Sequence, residues 1–95
     1  MLFALVVLDR PNSVERRMAI RPEHLKHLDA LGDKLILAGP FLDDKEQGVG
    51  SIVVIEAASL DEAREMFGRD PFVRENLFDQ VTIKPWRLAV NKSKP

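Results

Sequence analysis

Apolar residues run unbroken from Leu2 to Leu8, and the run stops at Asp9-Arg10-Pro11-Asn12, a stretch rich in turn formers. A continuous apolar run ended in this way predicts a buried strand over 2–8. Asn12 and Glu15 have the spacing of a capping box. A helix is therefore expected from residue 13, with Val14, Met18, Leu25, Leu28 and Leu31 as its apolar positions. Pro22 falls inside it. The ring removes one backbone donor and biases Arg21 away from helical geometry, which predicts a kink or two consecutive helices before Gly32 ends the element. Lys34 to Leu42 and Ser51 to Ala57 read as the second and third strands, joined by a loop containing Asp43, Asp44, Lys45, Gln47, Gly48 and Gly50. Ser59-Leu60-Asp61-Glu62 is a capping box for a second helix, with Ala63, Met66 and Phe67 turned inward and Gly68 at its end. After Asp70-Pro71-Phe72 a short helical stretch reaches Leu77. Val81 and Ile83 then alternate with Gln80, Thr82 and Lys84 in a fourth strand, and Leu88 to Pro95 reads as a frayed tail.

The order strand, helix, strand, strand, helix, strand is the ferredoxin-like βαββαβ arrangement of the α+β class. Its four antiparallel strands lie in the order 4-1-3-2, so the second and fourth strands are the edges. Pro40 and Pro85 fall in those two strands, where a missing ladder donor does no harm. Two helices cover only one face of such a sheet. An antiparallel sheet with one wet face should alternate, yet the first three strands are apolar at nearly every position. The second face therefore requires a cover, and a second copy packed sheet to sheet is the simplest one for so short a chain.

At 95 residues the chain is long enough for one domain, here 1–87, and little more. It contains no cysteine, which removes disulfides, thiolate nucleophiles and zinc knuckles. A formal net charge of −1, from 14 basic and 15 acidic residues, offers no field for a nucleic-acid backbone. The apolar N-terminal run is too short to span a membrane and lacks the flanks of a signal peptide. A cytoplasmic protein with no membrane or nucleic-acid partner is the expectation.

Two elements carry candidate chemistry, Arg21-Pro22-Glu23-His24-Leu25 and Asp70-Pro71-Phe72. A histidine with a nearby aspartate can move protons at neutral pH. On a helical wheel His24 sits about 40° from the centre of the Leu25, Leu28 and Leu31 face and His27 about 100° away. His24 thus points partly inward. The topology carries Asp70, beyond the second helix, to the sheet end that holds Pro40, Phe41 and Ser51. Structural roles compete at each position: His24 as a core-boundary residue bonded to a carbonyl, Asp70 as a turn residue, Ser51 as an ordinary strand residue. Arg17 and Arg21 share a side of the helix with His24 and would form an anion-friendly rim or simply a solvated face. A serine hydrolase lacks the Gly-x-Ser-x-Gly elbow, since Ser51 opens a strand. A metal site at His24 and His27 lacks a third ligand, and phosphate chemistry lacks a glycine-rich loop before a helix.

Arg21-x-x-His24-Leu25, Gly39-Pro40, Gly50-Ser51, Asp70-Pro71-Phe72 and Lys84-Pro85, in this order and spacing from residue 2 to about 87, resemble the YciI-like family. The resemblance implies a dimeric α/β barrel of ferredoxin-like subunits. It also implies an active site on the family's His and Asp, which map onto His24 and Asp70, with Ser51 as a third member. Related proteins include a dehydrochlorinase of a chlorinated hydroxyhydroquinone, and the wider fold group includes muconolactone isomerases and small monooxygenases. The resulting expectation is a cofactor-free, metal-free acid–base enzyme of the lyase or isomerase kind, acting on a small cyclic or aromatic metabolite. Arg17, Arg21, Pro40, Phe41, Phe72 and Trp86 are its candidate substrate-binding residues. The rival is a non-catalytic dimeric module that binds a small molecule in the same pocket.

Overall fold

Strand β1 (Leu2–Asp9) leads into helix α1 (Val14–Ala30), and a single 3-10 turn over Gly32–Lys34 returns the chain to β2 (Leu35–Leu42). Strand β3 (Gly48–Glu56), helices α2 (Leu60–Gly68) and α3 (Pro71–Arg74), and strand β4 (Phe78–Trp86) follow. These elements come from a computed structural model that describes residues 1–93. The sheet has four antiparallel strands in the order β2-β3-β1-β4, the ferredoxin-like order expected, with Pro40 and Pro85 on the two edges. Residues 88–93 of the expected tail form no helix or strand, and Lys94 and Pro95 lie outside the described residues. Among the described residues no helix is long and apolar enough to cross a membrane.

Register decides which side chains meet the helices. Phe3, Leu5 and Val7 of β1 stand opposite Ile55, Val53 and Ser51 of β3, and all six are buried. Phe3, Leu5, Val53 and Ile55 pack with Leu28 of α1 and with Ala63 and Met66 of α2. A second cluster joins Val7 to Phe72, Leu77 and Phe78, so the short α3 is anchored by a phenylalanine with no exposed surface. The other face of the sheet carries Leu8, Val6, Ile52 and Leu37, between 37% and 49% exposed. Its apolar character matches the unbroken strands of the sequence.

Three local expectations are corrected. The capping box at Asn12 does not form: Asn12 has a φ of 58° and takes the left-handed position of the turn. Ser13 becomes the N-cap, without a side-chain capping bond, and the helix begins one residue later. Of the two outcomes expected at Pro22, the division into two helices does not occur: α1 is one helix of 17 residues with Pro22 inside it. Arg17 before it and His24 after it are both buried against the rest of the protein, and this anchoring on either side outweighs one lost helical bond. The buried stripe of α1 is also not the aliphatic one. Met18 and Leu25 are 59% and 43% exposed, whereas Arg17, His24 and Leu28 are buried.

Elsewhere the punctuation acts as read. Gly32, at a φ of 58°, ends α1. Ser59 caps α2 by accepting from the Glu62 amide at 3.1 Å. Glu62 in turn accepts from Ala58 rather than from Ser59 itself.

Gly50 marks the tightest backbone approach in the sheet. A Cβ there would lie 2.5 Å from the Val7 carbonyl oxygen and 3.0 Å from the Phe41 ring, whereas a Cβ at Gly68 would meet nothing within 4 Å. Gly50→Ala is therefore expected to cost about 1–3 kcal/mol through overpacking. Gly68→Ala should leave stability unchanged or raise it by up to about 1 kcal/mol. Urea unfolding of the two variants checks the contrast; equal midpoints would contradict the register at Leu8 and Gly50.

Candidate active site

Asp70 follows α2 and caps α3, where its Oδ1 accepts the Phe72 amide at 2.9 Å and Pro71 fills the first helical position. This local turn chemistry aims the carboxylate back at α1. His24 Nδ1 meets both carboxylate oxygens at 2.9 Å, and the two side chains are 9% and 7% exposed. An ionised carboxylate only accepts hydrogen bonds, so Nδ1 carries the proton and Nε2 of the neutral ring keeps its lone pair. The ring is held flat by Phe72, with centroids 4.0 Å apart and planes 16° apart. Nε2 has no partner among the described residues, and it is not one of the buried atoms left unpaired, so it keeps access to the surface.

Seven residues earlier, about two helical turns, Arg17 enters the same buried stripe. Its Nε donates to Asp9 Oδ2 at 2.8 Å, and its Nη2 donates to the Gly50 carbonyl at 2.7 Å and to Ser51 Oγ at 2.6 Å. The guanidinium carbon also stands 4.7 Å from the Phe72 ring centre. Gly48 leaves room for the arginine stem, since a Cβ there would lie 3.1 Å from Arg17 Cδ. Burial pushes the Asp9 carboxyl up despite the neighbouring guanidinium, and it pushes Arg17 down despite Asp9 and Asp70. Desolvation thus exceeds the mutual attraction in both partners. Asp9 Oδ1 is the one buried side-chain oxygen left without a partner among the described residues.

His24 and Ser51 open onto a cleft of about 120 Å³ between α1 and the β2–β3 edge, with Arg21 and Pro40 also on its walls. His24 also borders an apolar space of only about 20 Å³, lined by His27, Leu28 and Met66 among others. That space holds one water at most. Of these two spaces, the cleft alone is large enough to bring a ring-sized ligand to His24.

The structure thus brings His24, Asp70, Ser51, Arg17, Arg21, Pro40 and Phe72 to one place. Phe72 is fully buried beneath the imidazole and supports it from behind. Phe41 and Trp86 are placed elsewhere. Phe41 pairs with Gly50 and Trp86 with Leu2, positions whose side chains point to the uncovered face of the sheet, away from the cleft. Period-two alternation separates Phe41 from its neighbour Pro40 in this way. Asp9 was not among the candidates from sequence. The signal for Arg17 burial was available, because the wheel that turns His24 inward places Arg17 about 20° from the same centre. Among the described residues no three metal-ligating side chains come together.

His27 supplies a pH dependence separable from the pair. Burial pushes its imidazole below the ordinary value of 6.5, against the opposing pull of Asp70. The unfolded chain therefore binds more protons near that pH, and this part of the stability is present above 6.5 and lost as pH falls below it. His27→Gln should lose stability less steeply than wild type on acidification through this range, as read by thermal melting at a series of pH values. Parallel curves would contradict the burial of His27 in its neutral form.

Residues 1–87 match the family model described as the YCII-related domain. Protein YciI of Escherichia coli O6:H1 is 34% identical over 95 residues, covering 92% of this chain and 97% of its own length. An uncharacterized protein of Haemophilus influenzae is 33% identical with the same coverage. Among solved structures, 5-chloro-2-hydroxyhydroquinone dehydrochlorinase (TftG) from Burkholderia phenoliruptrix AC1100, in complex with 2,5-dihydroxybenzoquinone, superposes with a TM-score of 0.86. It is 32% identical, over 94% of this chain and 96% of that one. Protein Atu4242 of Agrobacterium tumefaciens, at 15% identity and a TM-score of 0.56 over 94% of both chains, shares the fold. With a family model spanning nearly the whole domain and full-length relatives at one-third identity, this chain belongs to the YCII-related domain family.

Proposed function

We propose that this chain is a cofactor-independent acid–base enzyme, lyase- or isomerase-like, acting on a small hydroxylated ring through His24 and Asp70. The observation that carries the reading is the 2.9 Å contact between His24 Nδ1 and the Asp70 carboxylate, beside a cleft that His24 lines. Asp70 holds the tautomer and stabilises the imidazolium that forms when Nε2 takes a proton. That proton comes from a ring hydroxyl or ring carbon of the substrate. It returns to a neighbouring carbon in an isomerisation, or passes to solvent where a chloride leaves with its bonding pair. The dehydrochlorinase likeness of the TftG neighbour supports the ring-substrate class, and Arg21 and Pro40 supply walls for it.

The test is turnover of 5-chloro-2-hydroxyhydroquinone and of a panel of hydroxylated aromatic and lactone rings, followed by chloride release and absorbance. His24→Gln should lower kcat by roughly 10²–10⁴-fold, the usual contribution of a general acid–base group. Asp70→Asn should follow it in direction. Turnover indifferent to His24→Gln, or binding without turnover across the panel, would contradict catalysis and leave the ligand-binding module.

The assembly we propose is a cytoplasmic homodimer closed through the uncovered sheet face. Val6, Leu8, Ile52 and Leu37 form a continuous apolar patch there, of the kind that soluble proteins rarely leave in water. Sedimentation at micromolar concentration should give about twice the chain mass of 10.8 kDa. Val6→Asp, which would bury an unpaired charge in that interface, should abolish the dimer. A well-folded wild-type monomer would contradict it.

A further inference from the structure

Proton transfer at His24 leaves Ser51 without a task, although it lines the same cleft. Ser51 is 5% exposed, and its Oγ accepts a hydrogen bond from Arg17 Nη2 at 2.6 Å. A serine hydroxyl has one proton to give and two lone pairs to receive with. Arg17 occupies the receiving side. Among the described residues nothing accepts the Ser51 proton, and His24 makes its only side-chain hydrogen bonds with Asp70. Ser51 is therefore not paired with a base that could activate it as a nucleophile. A charged donor on its oxygen also polarises the O–H bond and makes it a better donor.

The surroundings favour negative charge at that point. Among the described residues Arg17 Nη1 has no hydrogen-bond partner and is not a fully buried atom, so it keeps some exposure, and Arg17 and Arg21 both line the cleft. Asp9 and Asp70 each use their charge on a neighbour, Arg17 and His24 respectively. The volume of about 120 Å³ suits one six-membered ring, since an enclosed apolar cavity of about 150 Å³ holds benzene.

We propose that Ser51, oriented by Arg17, is a ligand-binding hydrogen-bond donor to an anionic ring oxygen, so that the cleft selects small rings in their enolate or phenolate form. Arg17 is then a positioning residue, holding Ser51 as a donor while Asp9 holds Arg17. The ligand class rests on the acid–base reading above; the donor role of Ser51 stands on its own geometry.

The experiment is calorimetric binding to the intact protein of 2,5-dihydroxybenzoquinone, whose enolic hydroxyls are ionised at neutral pH, and of hydroquinone, which is neutral there. Wild type should bind the anion at least roughly tenfold more tightly, as one charge-assisted hydrogen bond provides. Ser51→Ala should weaken the anion by roughly tenfold or more and change hydroquinone little, while Ser51→Thr, which keeps the hydroxyl, should stay within roughly threefold of wild type. Equal anion affinity in Ser51→Ala, or no wild-type preference for the anion, overturns the proposal; the second comparison needs no variant to fold. Turnover that requires His24 together with anion binding indifferent to Ser51 defeats this inference alone. Ser51-dependent anion binding without His24-dependent turnover defeats the acid–base reading and leaves this one standing.

Discussion

Helix α1 presents a guanidinium and an imidazole to the interior, and burial obliges both to be partnered. Leaving either without a partner would cost several kcal/mol, a large share of what holds together a domain of this size. The rest of the structure meets that demand. Arg17 is received by the end of β1 at Asp9 and within β3 at Gly50 and Ser51, and His24 is received by the cap of α3 at Asp70. The same contacts tie α1 to the sheet and to α3 where aliphatic packing is thin. Architecture and candidate chemistry are thus parts of one hydrogen-bond set.

Asp70 illustrates the economy of that set. Its Oδ1 accepts both the Phe72 amide and the His24 ring, so the residue that starts α3 also orients the imidazole, and Phe72, two residues on, supports the ring from behind. The price of such coupling is that a substitution at Asp70 acts on helix capping and on the ring at once. Stability and activity of Asp70 variants therefore have to be measured together.

Much of this was legible in the chain. Turn residues and caps placed the elements, the two prolines identified the edge strands, and the order of elements gave the ferredoxin-like sheet that the structure has. The wheel turned His24 inward, and topology carried Asp70 to the same end. What was not legible has physical causes. Hydrophobicity assigns the inner face of α1 to Met18 and Leu25, but a polar residue with several hydrogen bonds can displace a flexible aliphatic one, and only tertiary contacts reveal those bonds. Propensity allows Pro22 to kink the helix or to divide it, and buried anchors on both sides keep the helix undivided. Asn12 satisfies the capping pattern, yet its tolerance of positive φ places it in the turn. Phe41 and Trp86 look like pocket aromatics by composition and proximity in sequence, but register sends them to the opposite face.

Asp70 holds His24 with the proton on Nδ1 and leaves Nε2 bare at the edge of the cleft that His24 lines. Long-range ¹H–¹⁵N correlation spectra of the histidine side chains report this directly, because the protonated and unprotonated ring nitrogens differ widely in ¹⁵N shift. In the neutral ring His24 should show a protonated Nδ1 and an unprotonated Nε2, and Asp70→Asn should weaken that preference. A neutral His24 with its proton on Nε2, or with the tautomer mixture of a free imidazole, would contradict this arrangement of the pair.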